Sequence, residues 1–281
     1  MPLQGNMNSD NSALSGITLD YGPFAFMEKF SPLYNSWVGG GMPYSFGRQP
    51  QAAAVNLAGL SAPFIELVEL VGKEEGLSPS EVESSRDEIR GAVSHGFVDS
   101  FHSMHDANCR AKLGFASWDA EAEALWSELF GLMSSRCGKA GIDFTLLFRS
   151  LCVPPPTAGG EGSLLDTVRP AAFEDVEKWP ADHREEWEGW LRKYFDKVAA
   201  DDRSESDRLA EMKNNNPKYI LRNWMAKEAY EAAARGDCSI VRELLEVLTH
   251  PYDEQSDKIA DRWGGLTPEW ARDRAGLAYM S

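Results

Sequence analysis

The chain has 281 residues, 43% of them apolar, which is room for about two average domains or one large one with a substantial core. Its 28 basic and 44 acidic side chains leave a formal charge of -16, a surface that repels phosphate backbones and anionic lipid and argues against nucleic acid as a partner. No run approaches the roughly 20 uninterrupted apolar residues of a membrane helix, and residues 1–20 lack the charged-then-apolar pattern of a signal peptide. Cys109, Cys137, Cys152 and Cys238 lie too far apart for a zinc ribbon or a disulfide-dense scaffold, which fits a reducing compartment.

Taken in chain order, the densest polar and turn-forming cluster comes first, Gly5-Asn6-Met7-Asn8-Ser9-Asp10-Asn11. It leads to Ile17-Thr18-Leu19, a β-branched and apolar run expected to form a buried strand, which ends at the turn Asp20-Tyr21-Gly22-Pro23. Residues 25–50 carry Gly39-Gly40-Gly41, Pro32, Pro43 and Pro50 among aromatics and read as an ordered loop. Beyond Pro50 the apolar spacing is helical over residues 51–73, 80–109, 118–138, 143–151 and 172–199, then over 217–249 in two helices. Trp187, Trp190, Leu191, Tyr194, Phe195 and Val198 fall on one face and predict a buried stripe. Pro154-Pro155-Pro156 followed by a glycine-rich run marks a surface crossing, and the tail after His250-Pro251 reads as an irregular arm pinned by Trp263 and Trp270. The expected class is mostly α, α+β overall, with a short β-hairpin near the start.

The opening loop is the best candidate for chemistry. Magnesium takes oxygen ligands, usually one or two carboxylates or amides completed by substrate phosphates and water. Asn11 and Asp20 supply two such oxygens, and Asp10 adds a carboxylate able to accept a proton. Protein kinases build a comparable metal site from a catalytic-loop Asn and the Asp of a following turn. Here the Asn and the Asp turn are present, but the catalytic-loop His and Asp of a kinase are replaced by Gln4 and Asn6. On spacing alone, ordinary hairpin chemistry competes with this reading.

Other signals are weaker. His95, His102, His105 and Cys109 lie on an ordinary amphipathic helix rather than on two elements, as zinc sites usually do. Residues 232–245 mimic one ankyrin helix pair without a second copy, so simple helix pairing is expected. The tryptophans at helical spacing read as core rather than as sugar-stacking platforms. Arg48 and Arg222 have the charge to meet a phosphate, but the sequence assigns neither a role.

Met7-Asn8-Ser9-Asp10-Asn11 and Gly16-Ile17-Thr18-Leu19-Asp20-Tyr21-Gly22-Pro23-Phe24-Ala25-Phe26 closely resemble the signature of the selenoprotein O family. Tyr44 to Pro50, Asn56-Leu57, Lys112-Leu113-Gly114, Asn216 to Trp224 and Gly236-Asp237 resemble later blocks of the same family in the same order. The resemblance implies a protein-kinase-like fold that holds ATP in a flipped orientation and transfers AMP to Ser, Thr or Tyr hydroxyls of proteins. By position it implies Asp10 as proton acceptor, Asn11 as a magnesium or manganese ligand, and Asp20 as a second ligand that also lies against the nucleotide. The partners are then ATP and hydroxyl-bearing protein substrates. Eukaryotic members of the family are mitochondrial, with a cytoplasmic location the alternative. Phosphoryl transfer and a non-catalytic helical scaffold are the rival functions.

Departures from the family pattern set further expectations. Gln4, Asn6 and Ser9 stand where the family has His, Val and Thr, and loss of the His is expected to loosen the loop. Ser36 stands where many members carry a cysteine, so that redox bridge is not expected, and the family's terminal cysteine or selenocysteine would follow Ser281. No glycine-rich loop, strand lysine and helix glutamate of a kinase first lobe are recognisable. Residues 1–155 therefore read as a partial kinase-like second lobe and residues 156–281 as a helical extension, and the chain alone is expected to bind ATP weakly or not at all and to be inactive.

Overall fold

The computed structural model describes residues 2–13, 15–17, 19–135, 141–156 and 162–272. Cys137 and the end of the chain, where a selenocysteine was expected to follow, lie outside the described residues. The chain is mostly helical, with one two-stranded sheet, β1 (Pro2–Gln4) against β2 (Phe24–Phe26). It divides into two compact units, one of residues 4–24 and 32–106, the other of residues 1–3, 25–31 and 107–281. The Pro154-Pro155-Pro156 crossing thus lies inside the second unit.

In the first unit the short turns at Val38–Gly40, Met42–Tyr44 and Phe46–Arg48 lead into α1 (Gln49–Glu75), which opens with Pro50 in its first turn. Proline is tolerated there because the first helical N–H groups have no intrahelical partner. The helix ends at Gly76, whose φ of 72° is the left-handed cap that glycine adopts without penalty. Ser78 then caps α2 (Pro79–Gly91), with Glu81 reaching back to the Ser78 N–H. The hairpin of α1 and α2 closes at Gly72, where an added Cβ would stand 2.6 Å from Val82 Cγ2. Glu69 is ion-paired with Arg86 at 2.8 Å. A π-helical turn, Ala92–Gly96, joins α2 to α3 (Phe97–Leu113).

One helical segment passes a length-and-composition test for crossing a membrane, although it contains no uninterrupted apolar run. Phe46–Glu75 is long and apolar enough by length and composition, with a mean hydropathy of 1.5 over its best window. The sequence criterion of an uninterrupted apolar run missed it because Asn56, Ser61, Glu66 and Glu69 interrupt the pattern. A charged residue near the bilayer centre costs about 2.5–3.5 kcal/mol, and here Glu69 is already engaged with α2. Val55, Phe64, Leu67 and Leu70 are exposed along the helix.

The second unit holds α4 (Ala120–Ser135), α5 (Phe144–Ser150), α6 (Ala181–Ala199), α7 (Glu205–Asn215), α8 (Asn223–Ala234), α9 (Ser239–Thr249), α10 (Asp257–Trp263) and α11 (Glu269–Arg272). The predicted stripe on α6 is buried throughout, and Trp190 Nε1 donates to Leu125 O at 2.8 Å to fasten α6 to α4. Burying Trp187, Trp190 and Tyr194 contributes roughly 2–3 kcal/mol of transfer energy each. Tyr219, Trp224, Met225, Leu244, Val247 and Trp263 form a further core around the α8–α9 pair, the helix pairing expected for the ankyrin-like segment.

Three local expectations are corrected. Residues 172–180 are not helical, since α6 starts only after Pro180 and Val176–Lys178 is a separate 3-10 turn. The tail is not irregular: it forms α10 and α11, with Trp263 buried against Trp224 and Trp270 about half exposed. The helix α7 was missed, although Ser204 accepting from the Asp207 N–H is the kind of N-cap that Ser-x-x-Asp announces.

Candidate active-site loop

The candidate site lies on the connection between β1 and β2, within the first unit. Gly5 N–H donates to Pro23 O at 2.8 Å and closes the base of the loop, while Ser36 Oγ donates to the same carbonyl at 2.7 Å. At this neck Gly5 and Gly40 have no room for side chains: a Cβ on Gly40 would stand 2.2 Å from Gly5 O, and one on Gly5 2.6 Å from Pro23 O. The glycine run Gly39-Gly40-Gly41 therefore backs this loop. Ser36 is fully buried and uses its hydroxyl to hold the neck.

Above the neck, polar side chains converge on loop backbone. Asn35 Nδ2 donates to Gly41 O at 3.1 Å, Gln49 Nε2 to Gln4 O at 2.7 Å, and Tyr44 OH to Asn8 Oδ1. Asn56, one turn or more into α1, donates to Met7 O at 2.8 Å and to Ser12 Oγ at 3.1 Å, so it straddles the segment carrying Asp10 and Asn11. Each such bond adds about 1 kcal/mol net. Together they give this stretch a defined path without an apolar core of its own. The sequence marked Asn56 only as part of a family block; its signal was a single asparagine in an alanine- and leucine-rich helix.

Gln4 does not loosen the loop as the loss of a histidine suggested. Its amide oxygen accepts from Asn6 N–H at 3.2 Å and its Nε2 donates to Tyr21 O at 3.4 Å, so it joins the two limbs of the loop. Asn6 continues this connection, because its carbonyl accepts from Asn11 Nδ2 at 3.2 Å. One line of bonds thus links the Asn11 side chain to the backbone beside Asp20.

Asp10 and Asn11 lie in a 3-10 turn, Ser9–Asn11, closed by Asn11 N–H donating to Asn8 O at 3.0 Å. The Asp10 side chain is exposed and makes no hydrogen bond or ion pair among the described residues, leaving its carboxylate available to a substrate. Asp20 accepts from Gly22 N–H at 2.8 Å through Oδ1. Asn11 spends its amide nitrogen on Asn6, so its Oδ1 remains an acceptor, as does Asp20 Oδ2. One amide and one carboxylate oxygen fit a hard divalent cation that keeps water and phosphate among its ligands.

The expected buried strand at Ile17–Leu19 is corrected. Ile17 and Leu19 are 63% and 87% exposed, no strand forms there among the described residues, and Thr18 lies outside them. β-branched residues hold a strand only when a partner and a covering face are present. The partners here are β1 and β2, so Asp10, Asn11 and Asp20 all sit in the loop of the hairpin rather than at strand ends.

Other candidates resolve into structure. Arg222 is 2% exposed and donates to fully buried Asp143 at 2.6 Å, with Glu28 3.7 Å away, so it is not a phosphate ligand. Asp143 also caps α5 through Leu146 N–H, and Thr267 Oγ1 donates to Glu28 at 2.7 Å. Burial pushes the Glu28 carboxyl up, against the pull of Arg222 and Thr267. Elsewhere in the Asn216–Trp224 block, Asn216 donates to Lys112 O, Lys218 and Tyr219 bind Glu254, and Trp224 enters the core. This distinctive motif is scaffold. His95 and His102 are exposed, and His105 Nδ1 lies 3.1 Å from Asp106.

The chain is similar to known proteins over nearly its whole length. The protein nucleotidyltransferase YdiU of Methylobacillus flagellatus is 34% identical over 283 residues, spanning 99% of this chain and 49% of that protein. Those of Nitrosospira multiformis and Azoarcus sp. are 31% and 32% identical, again over 99% of this chain and 50% and 49% of theirs. The chain therefore spans about half the length of the curated relatives it matches. The family model described as protein adenylyltransferase SelO matches residues 3–249, from β1 and the candidate loop to the end of α9, and on that match the chain belongs to the SelO family.

Proposed function

We propose that this chain carries the acceptor-activating and metal-holding part of a protein adenylyltransferase, which moves AMP from ATP to a Ser, Thr or Tyr hydroxyl of a protein. The observation that carries the reading is the unengaged Asp10 carboxylate, next to Asn11 and on the same bonded loop as Asp20. Asp10 accepts the proton of the attacking hydroxyl, the hydroxyl oxygen bonds to the α-phosphorus, and pyrophosphate leaves. Asn11 Oδ1 and Asp20 Oδ2 are the oxygens that would hold a magnesium or manganese ion, which when bound supplies positive charge to the phosphates. Asn56, Tyr44 and Gln4 fix the backbone on which these groups stand, so that orientation is established before substrate arrives.

A kinase-like arrangement belongs to the same reading. It is supported by the order of a proton acceptor, an adjacent amide ligand and a second ligand in the following turn, with a long helix bonded back to the loop through Asn56. Incubation of a protein that carries this chain at the full length of its relatives with ATP, magnesium and a hydroxyl-bearing protein, followed by intact-mass measurement, tests it. Addition of AMP that disappears in Asp10→Asn is the expected result. Addition of phosphate instead, or AMP transfer undiminished in Asp10→Asn, overturns it.

A further inference from the structure

Beside the loop, the first unit contains an open cavity of about 420 Å³. It shares residues with the loop's supports: Tyr44, bonded to Asn8, and Asn56, bonded to Met7 and Ser12, both line it. Its wall is therefore continuous with the segment that presents Asp10. The remaining lining is mixed, with Met42 and Val55 offering apolar surface and Gln51 an amide.

The distinctive member is Arg48. It is exposed, it lines the cavity, and it has no ion pair among the described residues. Nearby arginines behave differently: Arg86 pairs with Glu69 and Glu83, and Arg90 with Glu83 and Asp87. In a chain of net charge -16, acidic partners for an arginine are plentiful, so a guanidinium left open on a cavity wall is available to a ligand. Guanidinium recognises carboxylates through a planar fork of donors. The Tyr44 phenol and the two amides add neutral hydrogen-bonding groups, and the apolar wall accepts the methylenes of a side chain.

We propose that this cavity is the acceptor-side subsite and takes an Asp or Glu side chain flanking the hydroxyl residue of the substrate protein, with Arg48 as its counter-ion. The assignment of the occupant as acceptor rests on the transfer reading above; the preference for an acidic side chain rests on the cavity itself. The long-range repulsion between an acidic peptide and an acidic chain is screened beyond about 8 Å at physiological salt, so contact with Arg48 decides inside the cavity.

The test uses the 281-residue chain and three fluorescein-labelled peptides that share one serine and differ only in flanking Glu, Gln or Lys, with binding read by anisotropy at physiological salt. The Glu peptide is expected to bind about fivefold tighter than the Gln peptide, the scale of one partly exposed ion pair. Arg48→Gln removes the difference, and Arg48→Glu reverses it toward the Lys peptide, a gain that misfolding cannot produce. Equal binding of Glu and Gln peptides to the unmodified chain overturns the proposal, as does a Glu preference surviving Arg48→Glu. Competition of ATP with the Glu peptide overturns it by placing a nucleotide phosphate at Arg48. Peptide discrimination by the chain, with no AMP transfer by a protein that carries it at its relatives' full length, sinks the transfer reading and leaves the acidic subsite standing; transfer without discrimination does the reverse.

Discussion

The two units are held together by different physics. The second is built on burial, with indoles and phenyl rings stacked within a few ångströms and the α6 stripe inaccessible to water. The first is built around α1 and a loop whose path is set by side-chain amides and hydroxyls gripping backbone carbonyls. The groups proposed for the chemistry, Asp10, Asn11 and Asp20, all belong to the first. Reactive oxygens have to meet solvent, cation and substrate, so they cannot be positioned by being buried; hydrogen bonds to the surrounding backbone position them instead. Loss of one aromatic ring should therefore destabilise the second unit strongly, whereas loss of one amide in the first should disturb the loop locally and leave the fold.

The strongest way to break this contrast is at the reactive oxygens. Asp20→Ala should abolish AMP transfer by removing a proposed metal ligand, and Asp10→Ala should lower it by about 10²–10⁴-fold, the usual scale for a positioned proton acceptor. Thermal unfolding should change little, because both side chains are exposed. Unchanged transfer in either variant removes that residue from the site. In the second unit, Trp190→Ala should cost about 3–5 kcal/mol in denaturant titration, since it empties a buried indole site and leaves Leu125 O without its donor. A loss below about 1 kcal/mol would show that this core is not tightly packed.

Arg222→Met should cost about 3–5 kcal/mol by stranding the buried Asp143 carboxylate. Adding Asp143→Asn should recover part of that loss, because the amide can still cap α5 without a buried charge. Absence of recovery would mean that the Arg222 hydrocarbon, and not its charge, matters. A smaller effect is expected at Asn56→Ala: about 1–2 kcal/mol of local stability, seen as faster amide exchange at residues 8–12, with α2 protection unchanged. Exchange rising equally across α1 and α2 would make Asn56 a fold residue and not a loop clamp.

The smallest effect is electrostatic. Although partial burial works the other way, bonds from Lys213 and Lys218 and the charge of Arg149 hold the Glu254 carboxyl down to about 2. Because the folded value is depressed, the stability it contributes is present above the ordinary carboxylate range near 4.5 and is lost as pH falls toward about 2. Glu254 is half exposed, so solvent screening keeps the contribution under about 1 kcal/mol. The difference in Tm between the unmodified chain and Glu254→Gln should therefore shrink on acidification through this window. A difference independent of pH would assign Glu254 a purely geometric role.

Much of the architecture was legible because it depends on local periodicity. The α6 stripe, the helical spans of α1 and of α2 with α3, and the α8–α9 pair all announce themselves in residue spacing. Where the sequence misled, the deciding information was non-local. Ile17 and Leu19 have strand propensity but no partner, Pro180 delays α6 by most of the expected first segment, and Arg222 looks like a phosphate ligand until Asp143, 79 positions away, is found beside it. The candidate site shows the same division. Asp10, Asn11 and Asp20 could be named from motif and spacing, but not Gln4, Tyr44, Ser36 and Asn56, which grip the loop from up to 49 residues away.

The sequence by itself determined the helical class, the buried aromatic stripe and the family, and it named the three oxygens proposed for the chemistry. These are encoded by residue type and by separations of a few positions, within reach of backbone geometry. Only the tertiary structure decided which polar residues serve the loop, which serve the core, and that Arg48 is left open beside the site. A hydrogen bond or ion pair depends on where folding places both partners, and neither residue specifies that placement alone.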